Sequence, residues 1–455
     1  LPPHVLVFPL PLQGHVNSML KLSELLCLAG IHVTLLLSKF SSSRLRRHSD
    51  VESRFSRYSG FRIAVFDDGL PEDNPRVGES TIDLLSSILR VGETELRKVL
   101  EATDSLSDGG ARRRVSFFVI DGVLSFAMPV AEELGIPVVY FRTISACSFW
   151  CYFCSSELIA AGELPLRGED EGKYEYWRNP NLDLPVTSIP GMEAILRRRD
   201  LPSFLRVTDP NDSVLQIMAA ETRKTALSAG LILNTFEDLE GPIMDEIRKR
   251  IPNVFSIGPL HTHLKSHLDP QSSSLASSSF LREDRTSIDW LNSQPPKSVI
   301  YVSFGSLTQL TEEEHLEFWY GLVNSGHMFL WVMRPDSIAG SDNRHRNAAI
   351  PKELEEGTKQ RGYLVEWVPQ MEVLAHPSVG AFFTHGGWNS TLESICAGVP
   401  MICWPYFADQ QTNSRFVSHE WKVGFDMKDS CDRVVVEEMV REVMGDRRRD
   451  ELSER

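Results

Sequence analysis

Two polar residues in the first half of the chain, His15 and Asp121, are of the types that together remove a proton from a substrate. Each follows an apolar run typical of a buried strand, His4–Pro9 and Val115–Ile120. A neutral imidazole, with an ordinary pKa of about 6.5, can accept a proton from an alcohol, and a carboxylate can orient the ring and stabilise the imidazolium. Because the carboxyl ends of parallel strands share one sheet edge, we expect the two side chains to meet.

Other interpretations of these two residues stay open from the sequence. A histidine after a strand can be a loop or capping residue, and an aspartate before Gly122 is also a good turn or helix N-cap residue.

A second group of chemically active residues lies between Trp367 and Gln410. The apolar run Val379–Phe383 predicts a buried strand, and Thr384–Gly387 then leads into a helix that opens near Trp388. A helix N-terminus offers unpaired N–H groups and about half a positive charge, and glycines let the backbone approach a phosphate. The turn therefore predicts an anion site, to which His385 and Ser390 would add side-chain donors.

The same stretch carries the pattern W-x2-Q, then H-x3-G-x-F-x-T-H-x-G-W-N-S-x2-E, then G-V-P and a closing D-Q. This pattern resembles the signature box of plant secondary-product UDP-glycosyltransferases. The resemblance extends to Pro9–His15 and to Val302–Ser306, and so covers nearly the whole chain. It implies the GT-B fold, in which two Rossmann-like α/β domains with parallel sheets face one cleft and close over both substrates.

The resemblance also implies an activity: inverting transfer of glucose from UDP-glucose to a hydroxyl or carboxyl of a small lipophilic plant metabolite, such as a terpenoid, a flavonoid or another phenolic. His15 would deprotonate the acceptor, Asp121 would support His15, UDP would leave, and the product would be a β-glucoside. Gln410, at the last position of the box, is the sign in this family of glucose rather than galactose.

Donor roles follow from the resemblance position by position, and each suits its side chain: an indole for a planar base, carboxylate and amide groups for hydroxyls, and N–H or O–H donors for phosphates. Taken singly, each of these residues could instead be a core aromatic, an exposed carboxylate or a helix cap. By the resemblance, the residues that contact uracil are Trp367 and Val368, and those that contact ribose are Gln370 and Glu393. The phosphates would be contacted by Gly305, Ser306, His385, Asn389 and Ser390, and the donor sugar by Gly14, Thr143, Trp388, Asp409 and Gln410.

The acceptor side is less well defined by the sequence. Phe149, Trp150 and Phe153 follow Thr143 at helical spacing, which suits either a pocket wall or a core. Arg142 stands where many family members carry tryptophan, and a guanidinium there suggests an acceptor with a carboxylate. A structural ion pair is the alternative for Arg142.

No D-x-D tripeptide occurs in the chain, so the usual carboxylate grip on a divalent cation that bridges a diphosphate is missing. We therefore expect neither a metal nor another cofactor, with UDP-glucose as co-substrate. A dehydrogenase would need G-x-G-x-x-G after the first strand, where Gly14 stands alone. A binding protein without turnover and a nucleotide-sugar hydrolase stay open as alternatives, and the pair His15 and Asp121 favours transfer over the first.

Composition limits the partners and the compartment. A chain of 455 residues with 42% apolar content predicts two domains, and a net charge of −15 argues against nucleic acid. The seven cysteines are scattered, which favours reduced thiols in the cytoplasm, and Cys147, Cys151 and Cys154 are predicted to be core thiols rather than a metal site. No apolar run is long enough for a membrane helix, and the sequence opens without a leader pattern. We expect a monomer.

Short apolar runs alternate with helical patterns, which predicts parallel sheets. A helix is expected over Asn17–Ala29 with Gly30 after its end, an irregular loop over Leu164–Pro202, and a serine-rich linker within Gly258–Arg285. The predicted domains are 1–258 for the acceptor and 286–455 for the UDP-sugar, joined by 259–285, with a last helix that can return to the first domain. The predicted strands are His4–Pro9, His32–Leu37, Arg62–Phe66, Val115–Ile120, Pro137–Phe141, Leu231–Phe236, Val254–Ile257, Ser298–Phe304, Met328–Met333, Gly362–Glu366, Val379–Phe383 and Met401–Trp404.

Overall fold

Two compact units divide the chain in the computed structural model. The first comprises Leu1–Leu164, Ser188–Gly191 and Asp209–Leu281, and the second comprises Pro165–Thr187, Met192–Thr208 and Arg282–Arg455. The structure describes residues 2–78, 80–104, 107–108, 111–112, 114–166, 180–268, 278–339, 351–428 and 430–455. Most of the predicted serine-rich stretch, 269–277, lies outside these residues, as does 167–179 of the predicted loop. The domain limits expected from the sequence stay a prediction.

The first unit contains a seven-stranded sheet in the order β3-β2-β1-β6-β7-β8-β9, and all of its paired strands are parallel. Its central strands are apolar along their length and buried, as expected where helices cover both faces of a parallel sheet. A two-stranded antiparallel hairpin, β4-β5, is separate from it. The strands are β1 His4–Phe8, β2 His32–Ser38, β3 Phe61–Phe66, β4 Ser107–Asp108, β5 Ala111–Arg112, β6 Phe117–Asp121, β7 Val138–Arg142, β8 Gly230–Leu233 and β9 Val254–Ser256.

The helices of this unit connect successive strands. The first of them begins at Gln13 rather than at the predicted Asn17, so His15 lies in its first turn and not in a loop. Its end is as predicted: Gly30 follows it with a positive φ of 78°. The helices are α1 Gln13–Leu28, α2 Lys39–His48, α3 Val51–Phe55, α4 Ser80–Asp104, α5 Ala127–Leu134, α6 Ala146–Phe153, α7 Ser155–Ala160, α8 Ser213–Lys224, α9 Glu237–Arg250 and α10 Leu260–His267, with a 3-10 turn at Thr225–Leu227.

Helix α10 lies in the segment that was predicted as the linker, where the sequence indicated no helix. Leu260 and Leu264 are spaced four residues apart, and both are buried. Leu260 belongs to the same core cluster as Val16, Met19 and Leu20 of α1. Two apolar residues were too short a pattern to predict a helix, and packing against α1 supplies the stability.

The second unit contains a six-stranded parallel sheet in the order β12-β11-β10-β13-β14-β15. Alternate residues of β10 point to opposite faces of the sheet. Ile300 and Val302 belong to one core cluster, and Val299 and Tyr301 belong to another. The strands are β10 Val299–Ser303, β11 Met328–Val332, β12 Gly362–Val365, β13 Val379–Thr384, β14 Met401–Cys403 and β15 Gly424–Asp426.

Several helix ends of the second unit are set by local sequence. Thr311 and Glu314 form a capping box at the start of α12, and Gly326 ends that helix with a positive φ of 78°. The helices are α11 Thr286–Asn292, α12 Glu312–Ser325, α13 Lys352–Arg361, α14 Gln370–Leu374, α15 Trp388–Ala397, α16 Gln410–Arg415, α17 Arg433–Met444 and α18 Asp446–Ser453, with 3-10 turns at Pro180–Asp183, Arg198–Asp200 and Ser203–Leu205 and a π-helical turn at Phe416–Glu420.

All twelve strands expected in the two sheets are present, and no end differs from the prediction by more than three residues. The two sheets of parallel strands with helices are those of the predicted GT-B fold class. The sequence missed β15, a three-residue strand that contains glycine and aspartate, two residues that are uncommon in strands. The described part of the predicted loop is not entirely irregular either, because it contains the 3-10 turns Pro180–Asp183 and Arg198–Asp200.

The predicted core thiols are buried: Cys147, Cys151 and Cys154 are each at most 1% exposed. All seven cysteines lie in the described residues, and none of them forms a disulfide. Burial raises the pKa of the Cys154 thiol to about 12, which keeps it in its unreactive neutral form.

Candidate active site

Each sheet reverses its strand order at one point, and ligands of open α/β sheets bind beyond the carboxyl ends of the strands at such a point. In the first unit the reversal lies between β1 and β6, and in the second it lies between β10 and β13. His15 follows β1 and Asp121 ends β6, while Gly305 follows β10 and His385 follows β13. The residues selected by the sequence therefore lie at the two positions that the topology favours for ligands.

The predicted pair of His15 and Asp121 is in contact. Nδ1 of His15 lies 2.6 Å from Oδ2 of Asp121, although the residues are 106 positions apart. Asp121 is 1% exposed, and its Oδ2 also accepts a hydrogen bond of 3.2 Å from the backbone N–H of Leu10. The His15 side chain is 24% exposed. Because Nδ1 is engaged, Nε2 is the ring nitrogen that can accept a proton from a substrate.

Thr143 and Gly14 lie beside this pair. The hydroxyl Oγ1 of Thr143 lies 3.0 Å from the same Nδ1 of His15, and Thr143 directly follows β7. Gly14 precedes His15 in the first turn of α1, and its carbonyl accepts a hydrogen bond of 3.0 Å from Ser18 Oγ. Both residues are therefore close to the candidate base, and their contacts with a donor sugar stay a prediction.

Arg142 is held by the protein itself. It is 2% exposed, its Nη1 donates a hydrogen bond of 2.7 Å to the carbonyl of Gly122, and its guanidinium lies 5.6 Å from the Phe149 ring centroid. A side chain at Gly122 would collide with it, since a Cβ there would lie 2.1 Å from Cδ of Arg142. The guanidinium thus packs under the turn that follows Asp121. Its role toward an acceptor carboxylate stays a prediction.

The three predicted acceptor-pocket aromatics lie on α6. Phe149 and Trp150 are at most 1% exposed, and Phe153 is partly exposed. Trp150 donates through Nε1 to the carbonyl of Pro190 at 2.9 Å and stacks on Phe153 at 5.3 Å. Phe149 and Trp150 therefore belong to the packed interior in this structure, and whether any of the three contacts an acceptor stays a prediction.

The predicted phosphate end of the donor site is the turn from β13 into α15. The helix begins at Trp388 with Gly387 as its N-cap residue, so the N–H groups of its first turn are the ones that an anion would meet. The His385 ring lies between two glycines, because a Cβ at either Gly305 or Gly387 would lie 2.5 Å from its Nε2. Gly305 also has a positive φ of 75°, a conformation that a side chain would oppose.

Arg334 is a functional candidate that the sequence analysis missed. Its side chain is almost fully buried, and its guanidinium donates to the carbonyls of Gly305 and Thr308 and to the carboxylate of Asp336. Burial and the nearby charge of Arg334 lower the pKa of His385 to about 4. A charged residue one position beyond the predicted strand Met328–Met333 was the signal that could have identified it.

The predicted ribose end is a connected group of polar side chains. Nε2 of Gln370 donates to Ser390 Oγ at 3.0 Å and to Glu393 Oε2 at 2.8 Å, and Oε1 of Gln370 accepts from the Tyr301 hydroxyl at 3.1 Å. The sequence predicted Gln370 and Glu393 as partners of one sugar, and the structure brings them together. Tyr301, inside a buried strand, was not predicted.

Trp367 and Val368, the predicted uracil contacts, directly precede α14. Trp367 is partly exposed, Val368 is buried, and the carbonyl of Trp367 accepts a hydrogen bond of 2.8 Å from the N–H of Asp284. Asn389 is partly exposed in the first turn of α15, and the buried Trp388 ring packs 6.0 Å from Trp421.

Asp409 and Gln410, the predicted sugar contacts, are ordered by bonds within their own region. Oε1 of Gln410 accepts from the N–H groups of Tyr406 at 2.8 Å and Phe407 at 3.0 Å. Asn413 Nδ2 bridges Asp409 Oδ2 at 2.7 Å and the carbonyl of Gly386 at 2.9 Å, which ties this loop to the phosphate turn. With its carbonyl occupied, Gln410 would offer a sugar hydroxyl its Nε2 donors.

Two features are absent from the residues that the structure describes. No helix among them is both long and apolar enough to cross a bilayer. In the same part of the chain, no three His, Cys, Asp or Glu side chains are grouped so that they could hold a metal ion.

Comparison with known proteins gives consistent matches. Residues 282–451 match the family described as UDP-glucoronosyl and UDP-glucosyl transferase. A 7-deoxyloganetic acid glucosyl transferase from Catharanthus roseus is 56% identical over 100% of this chain and 92% of its own length. UDP-glycosyltransferase 85A2 from Arabidopsis thaliana is 38% identical over 99% of this chain and 91% of its own length.

Solved structures agree with these relatives. Os79 from O. sativa in complex with UDP superposes with a TM-score of 0.77 at 26% identity, covering 99% of this chain and 93% of that one. Os79 has also been solved with U2F and a trichothecene, and this second structure gives a TM-score of 0.74 at 27% identity, again covering 99% and 93%. The described geometry, the relatives and these structures lead to one conclusion: the chain belongs to the UDP-dependent glycosyltransferases of plant secondary metabolism and is a glucosyltransferase of small plant metabolites.

Proposed function

We propose that the chain transfers glucose from UDP-glucose, with inversion, to a hydroxyl of a small terpenoid that carries a carboxylic acid. The observation that carries the chemistry is the contact of 2.6 Å between His15 Nδ1 and Asp121 Oδ2. The acceptor class is supported by 56% identity to the 7-deoxyloganetic acid glucosyl transferase. A 7-deoxyloganetin glucosyltransferase from the same plant is 38% identical, which makes the acid the better first candidate.

The proton balance of the proposed step follows from the orientation of His15. With Nδ1–H donated to Asp121, Nε2 carries the lone pair and takes the proton of the acceptor hydroxyl. The acceptor oxygen bonds to the anomeric carbon while the bond from that carbon to the diphosphate breaks, and UDP leaves with the electron pair. Asp121 stabilises the imidazolium that forms. Attack from the face opposite the leaving group turns an α-linked donor into a β-glucoside.

The departing diphosphate needs positive potential. The proposed sources are the N-terminus of α15, the loop at Gly305 and Ser306, and the buried guanidinium of Arg334 that holds this loop. We propose that no metal takes part, because the chain has no D-x-D tripeptide. The remaining donor residues, from Trp367 to Gln410, keep the roles that the resemblance assigned to them.

Three further features belong to this proposal. A cytoplasmic location fits seven cysteines that form no disulfide. The net charge of −15 supports the absence of nucleic acid among the partners. A monomer is the simplest assembly in which one chain carries both the base and the donor residues.

A panel of acceptors with UDP-glucose, scored by product mass, tests the function. We expect 7-deoxyloganetic acid to accept one hexose and the anomeric proton of the product to show β coupling by NMR. The panel would include 7-deoxyloganetin and simple flavonoids. A product with α configuration, or no product from any terpenoid acid, would contradict the proposal.

The carboxylate preference is tested separately at Arg142. If its guanidinium favours acidic acceptors, Arg142→Ala lowers the rate with the acid more than the rate with 7-deoxyloganetin. Arg97, a partly exposed arginine paired with Glu133 at 2.8 Å, provides the control as Arg97→Ala, which should change neither rate. Equal changes for both acceptors in Arg142→Ala would assign Arg142 to the support of Gly122 alone.

A further inference from the structure

The segment Met192–Thr208 lies far from the donor box in sequence but packs within the second unit. It contacts the stretch Tyr406–Gln410, which we name the sugar loop because it carries the predicted sugar contacts Asp409 and Gln410. Phe204 and Phe407 meet edge to face at 6.3 Å, and Arg415 Nε donates to the carbonyl of Ile195 at 2.8 Å. A part of the chain that precedes the sugar loop by about two hundred residues therefore forms one side of that loop.

Ala408, at the centre of the sugar loop, has an unusual backbone. Its φ is 58°, in the left-handed region that side chains other than glycine rarely adopt. Ser203 holds both of its backbone polar groups: Ala408 N–H donates to Ser203 Oγ at 2.7 Å, and Ser203 N–H donates to the carbonyl of Ala408 at 2.9 Å. A conformation of this kind persists where its surroundings fix it, and Ser203 is what fixes it here.

Asp200 anchors the other side of Ser203. Its side chain is fully buried, and its carboxylate accepts from Lys428 Nζ at 2.7 Å and from Arg197 Nε at 2.9 Å. Burial opposes its charge, but Lys428 and Arg197 together lower the pKa of Asp200 to about 2. The backbone carbonyl of Asp200 also accepts from Thr412 Oγ1 at 2.8 Å, on the helix that Gln410 begins. The segment is thus bound on both sides of the sugar loop.

We infer that Ser203 and Asp200 are positioning residues for the donor sugar. Ser203 holds Ala408 in its left-handed conformation, and Asp200 holds Thr412 in the helix that Gln410 begins. Together they place Asp409 and Gln410 for contact with the hydroxyls of glucose. The inference rests on the proposed role of Asp409 and Gln410 in sugar binding. It adds to that role a second determinant of sugar specificity, located outside the box.

Binding measured by calorimetry separates sugar contacts from nucleotide contacts, because UDP lacks the hexose. In Ser203→Ala we expect the Kd for UDP-glucose to rise about tenfold as one buried hydrogen bond is lost, while the Kd for UDP changes less than twofold. The turnover ratio of UDP-glucose to UDP-galactose should fall in the same variant. Ser203→Thr retains a hydroxyl and should recover most of the wild-type UDP-glucose affinity.

The matched control is Asp450→Asn, which breaks the exposed pair of Asp450 with Lys297 and shares no partner with Asp200 or Ser203. It should leave both affinities unchanged. The inference is overturned if Ser203→Ala binds UDP-glucose as the wild type does, or if its UDP affinity falls in parallel. Asp200→Asn gives the independent second variant, with the same expected loss of UDP-glucose affinity at unchanged UDP affinity. A wild type that binds UDP-glucose but forms no glucoside would instead contradict the proposed function.

Discussion

Each sheet has one histidine beside the point where its strand order reverses, and the surroundings of the two histidines are opposite in charge. His15 follows the strand at the reversal point of the first sheet and contacts the carboxylate of Asp121. His385 follows the strand at the reversal point of the second sheet and lies near the buried guanidinium of Arg334. The carboxylate suits a ring that must take up a proton, and the guanidinium suits a ring that stays neutral beside a bound anion. The partner, rather than the imidazole, determines the role.

The largest expected effect is the loss of His15. Without a base at this position, His15→Ala should lower kcat by about 10²- to 10⁴-fold, because proton removal from the acceptor is no longer assisted. The Kd for UDP, whose proposed contacts include His385 and not His15, should stay within twofold. Steady-state kinetics by product mass and calorimetry check both values. Full activity in His15→Ala would show that His15 is not the base. The contrast between the two histidines would then no longer hold.

Asp121→Asn tests the partner of the first histidine. An amide can accept the Nδ1–H bond but carries no charge to stabilise an imidazolium, and it can also favour the wrong tautomer of the ring. We expect kcat to fall by about 10²-fold or more, with UDP affinity unchanged. The double variant with His15→Ala should be no slower than His15→Ala alone. Additive losses would show that the two residues do not act together.

Arg334→Met tests the partner of the second histidine. The change removes a buried positive charge and frees the loop at Gly305, so the Kd for UDP should rise about tenfold. Arg334→Lys keeps the charge but not the three hydrogen bonds, and its Kd for UDP should lie between those of the wild type and Arg334→Met. Arg433→Met, at an exposed pair with Glu317, is the control and should bind UDP as the wild type does. An unchanged Kd in Arg334→Met would show that the loop needs no charge beneath it.

The smallest effect concerns the pH response of His385. An unfolded histidine takes up a proton near its ordinary pKa of about 6.5, whereas the pKa of folded His385 is lowered to about 4. Stability contributed by this residue is therefore complete above pH 6.5 and is lost as the pH falls toward 4. NMR titration of labelled histidines should show His385 neutral at pH 5.5 in the wild type and a higher midpoint in Arg334→Met. A His385 midpoint near 6.5 in the wild type would contradict the influence of Arg334.

The sequence predicted those parts of the site that depend on position along a strand or within a contiguous pattern. His15 and Asp121 could be paired because each follows a predicted strand of one sheet. Gln370 and Glu393 could be paired through the resemblance. Arg334 and Ser203 could not be predicted in the same way, because their roles depend on how far a side chain reaches across neighbouring elements. Helix α10 was not predicted for a related reason, since its stability comes from packing against α1.

The bonds made by Gln410 bear on attempts to change which hexose this enzyme uses. Its side-chain carbonyl accepts hydrogen bonds from two backbone N–H groups, those of Tyr406 and Phe407, in addition to any contact that its amide makes with a ligand. A replacement chosen only for its fit to another hexose would leave those two N–H groups without an acceptor, and the adjoining backbone would rearrange. Redesign of donor choice at this position therefore has to supply an acceptor of similar length, or to alter Ser203 and the loop together.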